Sequence, residues 1–525
     1  MKTMFVLTVV GLAWQVVGEN KPPPPRGEAI VVRVDHPDRQ AELLLKLFEG
    51  SRVAHPAAGL VAWKRASGGD LGKPLEAAIA LFNPLMAPEW RSFDGATLWL
   101  DLEGSGPGPR FRALAPRDDA GALAAAAMTA RLGSGSDEMA LEMGSRRLSV
   151  MRLGGESGLL AVVDGPRVAL AGNRTSLIDM LVHRADSPPI TLLDPARGDG
   201  LTAVIDLARM KAPGASSLAV MNRGLAVAKG LHLSRIEARI ALHEDRLVAE
   251  VEGLVAPGKR KAQPHHGGVD PRWPSGFSHE RVMGLVSIAI GPEAEFTDRV
   301  FEALDRVQKL DPAYKATAPA RVRLYLAARA AGVNLEADLW PRLQGVTAAA
   351  TARADAPGEL TGAILILHAN SDASAARIVH EFGPRLGKFV GGLTPDRDPN
   401  GGRFRGRASS RPIEVDRRDR DVRLAWGDDA IAALKRQEAA PDPWPTAPLA
   451  RYGLIWPARC VSTTPAMSPA RESLADAPPV VWSGWDQDLR THDRLVWTGL
   501  KERVRILLEH IPLETPPPAT GRPHS

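Results

Sequence analysis

One cysteine in 525 residues, Cys460, excludes a disulfide framework and a cysteine-rich metal site, and the sequence reads it as a small buried hydrophobe. Long apolar runs are also missing. Beyond the N-terminus no stretch approaches the ~20 residues that a membrane-spanning helix needs. Charge of one sign is lacking too: 66 Lys and Arg against 61 Asp and Glu leave +5, or +4 once Lys2 departs with a signal peptide. Over this length such a balance does not point to nucleic acid. The chain contains no G-x-S-x-G elbow, no G-x-x-x-x-G-K-[ST] phosphate loop and no G-x-G-x-x-G leading into a helix. The pairs His243-Glu244, His279-Glu280 and His380-Glu381 have Leu247, Met283 and Pro384 where a zinc-protease helix places its second histidine, so that chemistry is excluded as well. No cofactor is expected.

What is present begins with export. Lys2, an apolar run over residues 4–17 and the small-residue exit Val16-Val17-Gly18 describe a signal peptide over residues 1–18. A proline-rich spacer follows at 19–28, where Pro22 to Pro25 favour an extended chain. The protein is therefore expected to be periplasmic or extracellular.

The chain is organised around residues 165–183, G-P-R-V-A-L-A-G-N-R-T-S-L-I-D-M-L-V-H, which read as strand, glycine, helix. The same grammar returns at 421–436 and 493–510, with Gly172, Gly427 and Gly499 at the change from alternating to helical spacing. A strand at 29–34 precedes a helix over 39–48 that Asp35 or Asp38 would cap, with Leu43, Leu44 and Leu47 facing the core. Further strands are expected at 59–63, 110–114, 147–153 and 159–163, with a turn leading into a strand over 89–100 and helices at 75–82 and 118–131. The clearest hairpin joins 234–242 to 246–251 around His243-Glu244-Asp245.

These elements predict an α+β protein of two duplicated domains, each a mainly antiparallel sheet with helices on one face. The first domain spans 29–256, a linker 257–276, the second domain 277–440, a hairpin-helix extension 441–515, and a disordered tail 516–525. Trp90, Gly95 and Thr97 are matched 250 residues later by Trp340, Gly345 and Thr347, which supports the duplication. The tract N-L-E-A-D-L-W-P-R-L-Q-G-V-T at 334–347, the repeated strand-helix units and the signal peptide together resemble large exported bacterial proteins catalogued only as a domain of unknown function. That resemblance implies an α+β fold and carries no activity and no site residues.

Site chemistry is sparse. His265-His266 with Asp270 is a solvated linker sooner than a metal site, because adjacent side chains on a loop rarely converge on one ion. Arg403, Arg405 and Arg407 open an arginine-rich segment with two readings: a polyanion-binding loop using guanidinium contacts, or a charged hairpin whose Glu414, Asp416 and Asp419 pair across it. Trp444, Trp456, Trp482, Trp485 and Trp497 offer stacking surfaces for sugars, but lie in or beside strands where core packing competes. Asn173 of the N-R-T triplet reads as a helix cap. The expected function is that of a non-catalytic envelope protein binding a partner protein or a polymer such as a polysaccharide. The alternative is a hydrolase whose carboxylates come together from distant segments.

Overall fold

A computed structural model of the chain describes residues 30–49, 95–100, 110–114, 137–153, 159–164, 167–171, 173–182, 192–193, 200–207, 227–256, 268–290, 302, 305–306, 318–330, 332–353, 358–382, 384–385, 394–395, 403–408, 410–436, 449–461, 468–487 and 489–509. The N-terminal apolar run, the proline spacer, the segments at 59–63, 75–82 and 118–131, and the tail 516–525 lie outside these residues.

Among the described residues the first half supplies ten strands: β1 (Ile30–Asp35), β2 (Gly95–Leu100), β3 (Arg110–Leu114), β4 (Asp137–Met143), β5 (Arg146–Leu153), β6 (Leu159–Asp164), β7 (Arg167–Ala171), β8 (Gly200–Asp206), β9 (Leu233–His243) and β10 (Arg246–Val255). Ten more follow: β11 (Val282–Ala289), β12 (Leu343–Ala352), β13 (Leu360–Ala369), β14 (Thr394–Pro395), β15 (Arg403–Ala408), β16 (Arg411–Arg418), β17 (Asp421–Trp426), β18 (Arg451–Ile455), β19 (Val480–Gln487) and β20 (Arg490–Thr498). All pairings are antiparallel. From one edge the ladder runs β4, β5, β6, β7, β3, β2, β1, β8, β9, β10. From the other it runs β14, β15, β16, β17, β13, β12, β11, β18, β19, β20. The two runs have the same order, and β10 pairs with β20 to join them into one sheet.

The joint is symmetric in register. Counted from their hairpin turns, Glu250 and Arg494 hold the same place in β10 and β20, and they lie directly opposite each other. An approximate two-fold axis thus passes between them. The segment predicted as an extension, 441–515, supplies β18 to β20 of this ladder, so it completes the second run.

Alternation explains the strands. In β12 every second residue from Leu343 to Thr351 is buried, the pattern of a strand with one face turned to a core. Ile30, Val32, Ala203, Ile205, Ile236, Ala238 and Val251 form an apolar core on the first run. Each such branched side chain taken from water contributes about 1.5–3 kcal/mol.

In the second run, Leu424 and Ala425 are neighbours on β17 but belong to different cores. The helix Asp428–Leu434 packs Ala430, Ala433 and Leu434 with Ala425, whereas Ala328 of the helix Ala320–Ala330 lies on the Leu424 side. Helices cover both faces there, which corrects the expectation of one: both faces of the strands are apolar and both need covering.

Two local readings also change. The helix Pro37–Phe48 begins after His36, which is left-handed at φ 51° and makes no side-chain cap; neither Asp35 nor Asp38 takes that role, and Pro37 occupies the first turn. Within the stretch read as a linker, residues 268–276 fold onto the second core, with Val269 and Trp273 buried. The glycines between strand and helix have a physical cause: Gly427 and Gly499 sit at φ 95° and 74°, which only glycine adopts at little cost. Gly172 lies outside the described residues.

Candidate functional site

Directly opposed residues of an antiparallel pair share a face. One such row crosses the centre of the sheet as Thr97, Arg33, Thr202, Arg239, Glu250, Arg494, Ser483, Tyr452, Ser287 and Thr347. Each member carries a polar group. Thr202, Ser287, Tyr452 and Thr347 are at most 1% exposed. Burial pushes the Tyr452 phenol well above its ordinary value.

At the second-run end of this row stands a hydrogen-bonded chain. Ser287 Oγ lies 2.7 Å from Thr347 Oγ1, which lies 2.8 Å from His368 Nε2, and His368 Nδ1 lies 2.7 Å from Asp421 Oδ1. Hydroxyl, imidazole and carboxylate in this order are the parts of an activated nucleophile. Strands β11, β12, β13 and β17 place them side by side, His368 directly opposite Asp421. The indole of Trp273 closes the chain from above, stacked on the His368 ring at 4.2 Å and 5°. Gly345 leaves the room: a Cβ there would stand 2.2 Å from the Trp273 ring. Ser287 and Thr347 are both 0% exposed, so neither hydroxyl meets solvent.

The opposite face of the last three strands holds a second polar group. Arg451 donates from Nε to Asp493 Oδ1 at 3.1 Å and from Nη1 to Asp486 at 2.9 and 3.0 Å, and its Nη2 reaches the Trp485 and His492 carbonyls at 3.3 Å. Burial alone would lower the Arg451 pKa; the Asp493 and Asp486 carboxylates overcome it and hold the guanidinium fully charged. Trp482 Nε1 adds a bond to Asp493 Oδ1 at 3.2 Å. Gly484 is required between them, since a Cβ would stand 2.4 Å from Asp493 Oδ1.

The joint itself carries acids. Glu237 and Glu252 lie directly opposite each other on β9 and β10, the arrangement from which a carboxylate pair is made. Each has its own partner. Glu237 pairs with Arg235 at 2.6 Å and accepts from the Leu192 and Leu193 amides at 2.8 and 3.1 Å. Glu252 contacts His492 Nδ1, and the His492 ring is stacked on Trp485 at 3.6 Å. Glu250 faces Arg494 at 3.9 Å.

Of the residues singled out in the sequence, Arg403 and Arg405 converge on the buried Glu414 across the β15–β16 hairpin, with Nε contacts of 2.9 and 3.2 Å. Asp416 pairs with Arg423 at 2.8 Å. Arg407 is exposed beside Pro412. A separate cavity of about 470 Å³ is lined by Arg281, Arg353, Thr361, Arg411, Gly427, Asp428 and Asp429; Arg281 pairs with Asp429, and Arg411 stacks on Trp426 at 4.7 Å. His265 and His266 lie outside the described residues, and Asp270 is bonded to Arg272 at 2.6 Å, which holds its carboxyl below the usual range. Trp456, Trp482, Trp485 and Trp497 are half-buried and Trp444 lies outside the described residues.

Cys460 corrects an expectation. It ends the short helix Pro457–Cys460 at the surface and is exposed, although its thiol is shielded enough to contact the Met283 carbonyl at 3.6 Å. That shielding raises its pKa above the ordinary thiol value. Among the described residues no group of three or more His, Cys, Asp or Glu is placed to hold a metal ion, and no helix is long and apolar enough to cross a membrane.

The Ser287, Thr347, His368 and Asp421 chain was missed in the sequence because its members are spread over 135 positions (287 to 421) and match no local motif. The available sign was a lone polar residue inside an apolar run, as in V-S-I, V-T-A and L-H-A.

No family model and no curated protein matches the chain. Among solved structures, crystal form IV of a protein named TP0453 is similar at 10% identity, with a TM-score of 0.25 over 47% of this chain and 84% of that one. Its crystal form III gives 11% identity and a TM-score of 0.24 over 48% and 81%.

Proposed function

We propose that this chain is an exported, non-catalytic protein of the cell envelope, built from two duplicated halves, that binds a partner protein or an anionic polymer through outer strands and loops. The repeated order of ten strands and the register about Glu250 and Arg494 support the duplication. The N-terminal run at residues 4–17 supports export. The single observation that carries the non-catalytic reading is the sealing of the Thr347, His368 and Asp421 chain: its hydroxyl is 0% exposed beneath Trp273. A nucleophile must reach a substrate within hydrogen-bonding distance.

The face offered for binding is the β15–β16 hairpin, where Arg405 and Arg407 are exposed and Arg417, Arg418 and Arg420 follow. Arg403 is half-buried on Glu414 and serves the hairpin first. Retention on a heparin or phosphate resin tests this. Arg405→Ala with Arg407→Ala should lower the eluting salt concentration while Arg403 keeps Glu414 neutralised. A wild-type chain that flows through, or a double variant that elutes unchanged, overturns the polymer reading.

The hydrolase alternative draws on one observation, the facing Glu237 and Glu252. It requires that pair to lose activity towards a glycosidic or ester substrate when Glu252 becomes Gln. Each acid is already matched by a cation or by amides, which favours the structural role.

A further inference from the structure

The β10–β20 joint is formed by strands that hold the same place in their respective runs, so it has the form of an interface between two copies of one fold. In such an interface a residue on the axis faces its own copy. Here Glu250 faces Arg494. Pairing β10 with a second β10 would set Glu250 against Glu250, and pairing β20 with β20 would set Arg494 against Arg494; like charges directly opposite destabilise a strand pair. Glu252 beside His492 adds to the preference for the unlike pairing.

Other contacts recognise the same combination. The turn residue Asp245 of the first run accepts from the Leu500 and Lys501 amides, at 3.1 Å through its carbonyl and 2.6 Å through its side chain, and so caps the helix Leu500–Glu509 of the second. The Val255 amide donates to the Leu489 carbonyl at 2.8 Å, and His232 meets Glu302 at 3.2 Å. None of these contacts depends on both runs belonging to the same molecule. The covalent connection between them, residues 257–267, includes Pro257, Gly258, Pro264 and Gly267, and eleven residues span up to about 36–40 Å when extended.

We propose that this joint is also the surface through which two copies of the chain associate, each giving its β20 to the β10 of the other, with Glu250 and Arg494 restricting the exchange to that unlike pairing. The like-pairing part rests on the reading of the halves as copies. The exchanged dimer repeats every contact of the closed monomer, so only concentration and the 257–267 connection decide between them.

The test uses the full chain with Cys460→Ser, Arg246→Cys and Thr498→Cys, residues 246 and 498 being directly opposed across the joint. The protein is unfolded in urea, refolded over a range of concentrations, bridged with a short bis-maleimide and run on a denaturing gel. At low concentration the bridge should close within one chain. Raising the concentration should give bridged dimers in rising proportion, at least several-fold over a tenfold range. Adding Glu250→Arg should weaken bridging within the chain and between chains alike, and Glu250→Arg with Arg494→Glu should restore both. Monomer alone at every concentration overturns the exchange, as do dimers that persist under Glu250→Arg while the bridge within the chain is lost. Failure to bridge within the chain at low concentration overturns the joint itself, and with it the register that supports duplication.

Discussion

The two runs of the sheet solve one packing problem with opposite chemistry. At equivalent ladder positions of the first run Leu201, Ile240 and Ala249 lie in line across β8, β9 and β10, with Leu201 and Ile240 against the apolar core and Ala249 buried. In the second, the line across β18, β19 and β20 is Arg451, Gly484 and Asp493. The backbone order is unchanged. Strand order is therefore insensitive to whether these positions are apolar or ionic, provided the ionic set is complete; an incomplete set would leave a buried charge without a partner. Further along the ladder His368 stands in the place of Leu114, between Gly345 in that of Gly95 and Asp421 in that of Arg167.

The sharpest way to break this comparison is to remove half of the ionic set. Arg451→Leu strands Asp493, which is 1% exposed, and should cost about 3–5 kcal/mol of unfolding free energy in urea. Converting Arg451, Gly484 and Asp493 together into the first run's Leu, Ile and Ala should recover most of that loss. A triple variant no more stable than Arg451→Leu would show that the two lines are not interchangeable.

Next in size is overpacking. Gly345→Ala drives a methyl into Trp273 and should cost about 1–3 kcal/mol, read as a lowered Tm and a red-shifted indole emission. Thr347→Val follows. It takes a hydroxyl from both Ser287 and His368 and should cost about 1–3 kcal/mol.

The smallest effect is kinetic. Cys460 has its pKa raised by burial, and thiolate is the reacting form. Alkylation by iodoacetamide should therefore reach half its limiting rate above the ordinary thiol pKa of ~8.5, and should shift down towards it in urea. A midpoint below the ordinary value in the folded chain would contradict the shielding.

How far the sequence could be read follows the range of the interactions. Hairpins such as β9–β10 and β15–β16 are set by neighbours a few residues apart, and their alternation and turns are visible without a structure. The match of Thr97 with Thr347 could be seen as spacing, and the ladder places both in one row. The closing of β10 against β20 could not, because nothing local to Glu250 refers to Arg494. The His368 chain was hidden for the same reason. Residue type does not fix the burial of Cys460, because a short helix carries it out of the sheet to the surface. Composition offers an aspartate cap for the helix after β1, but the cap position falls on a left-handed His36, with Pro37 in the first turn.

The joint also sets an order of events. β10 ends at Val255, and the strand that covers it begins at Arg490. During synthesis, then, nearly half of the chain is made while the β10 edge has no neighbour, and unpaired strand edges in waiting intermediates are prone to aggregation. Glu250 and Glu252 on that edge are the kind of charged residues that discourage premature pairing. The residues that later meet Arg494 and His492 thus guard the strand while it waits, and a chain slowed between 256 and 490 should be the one that precipitates.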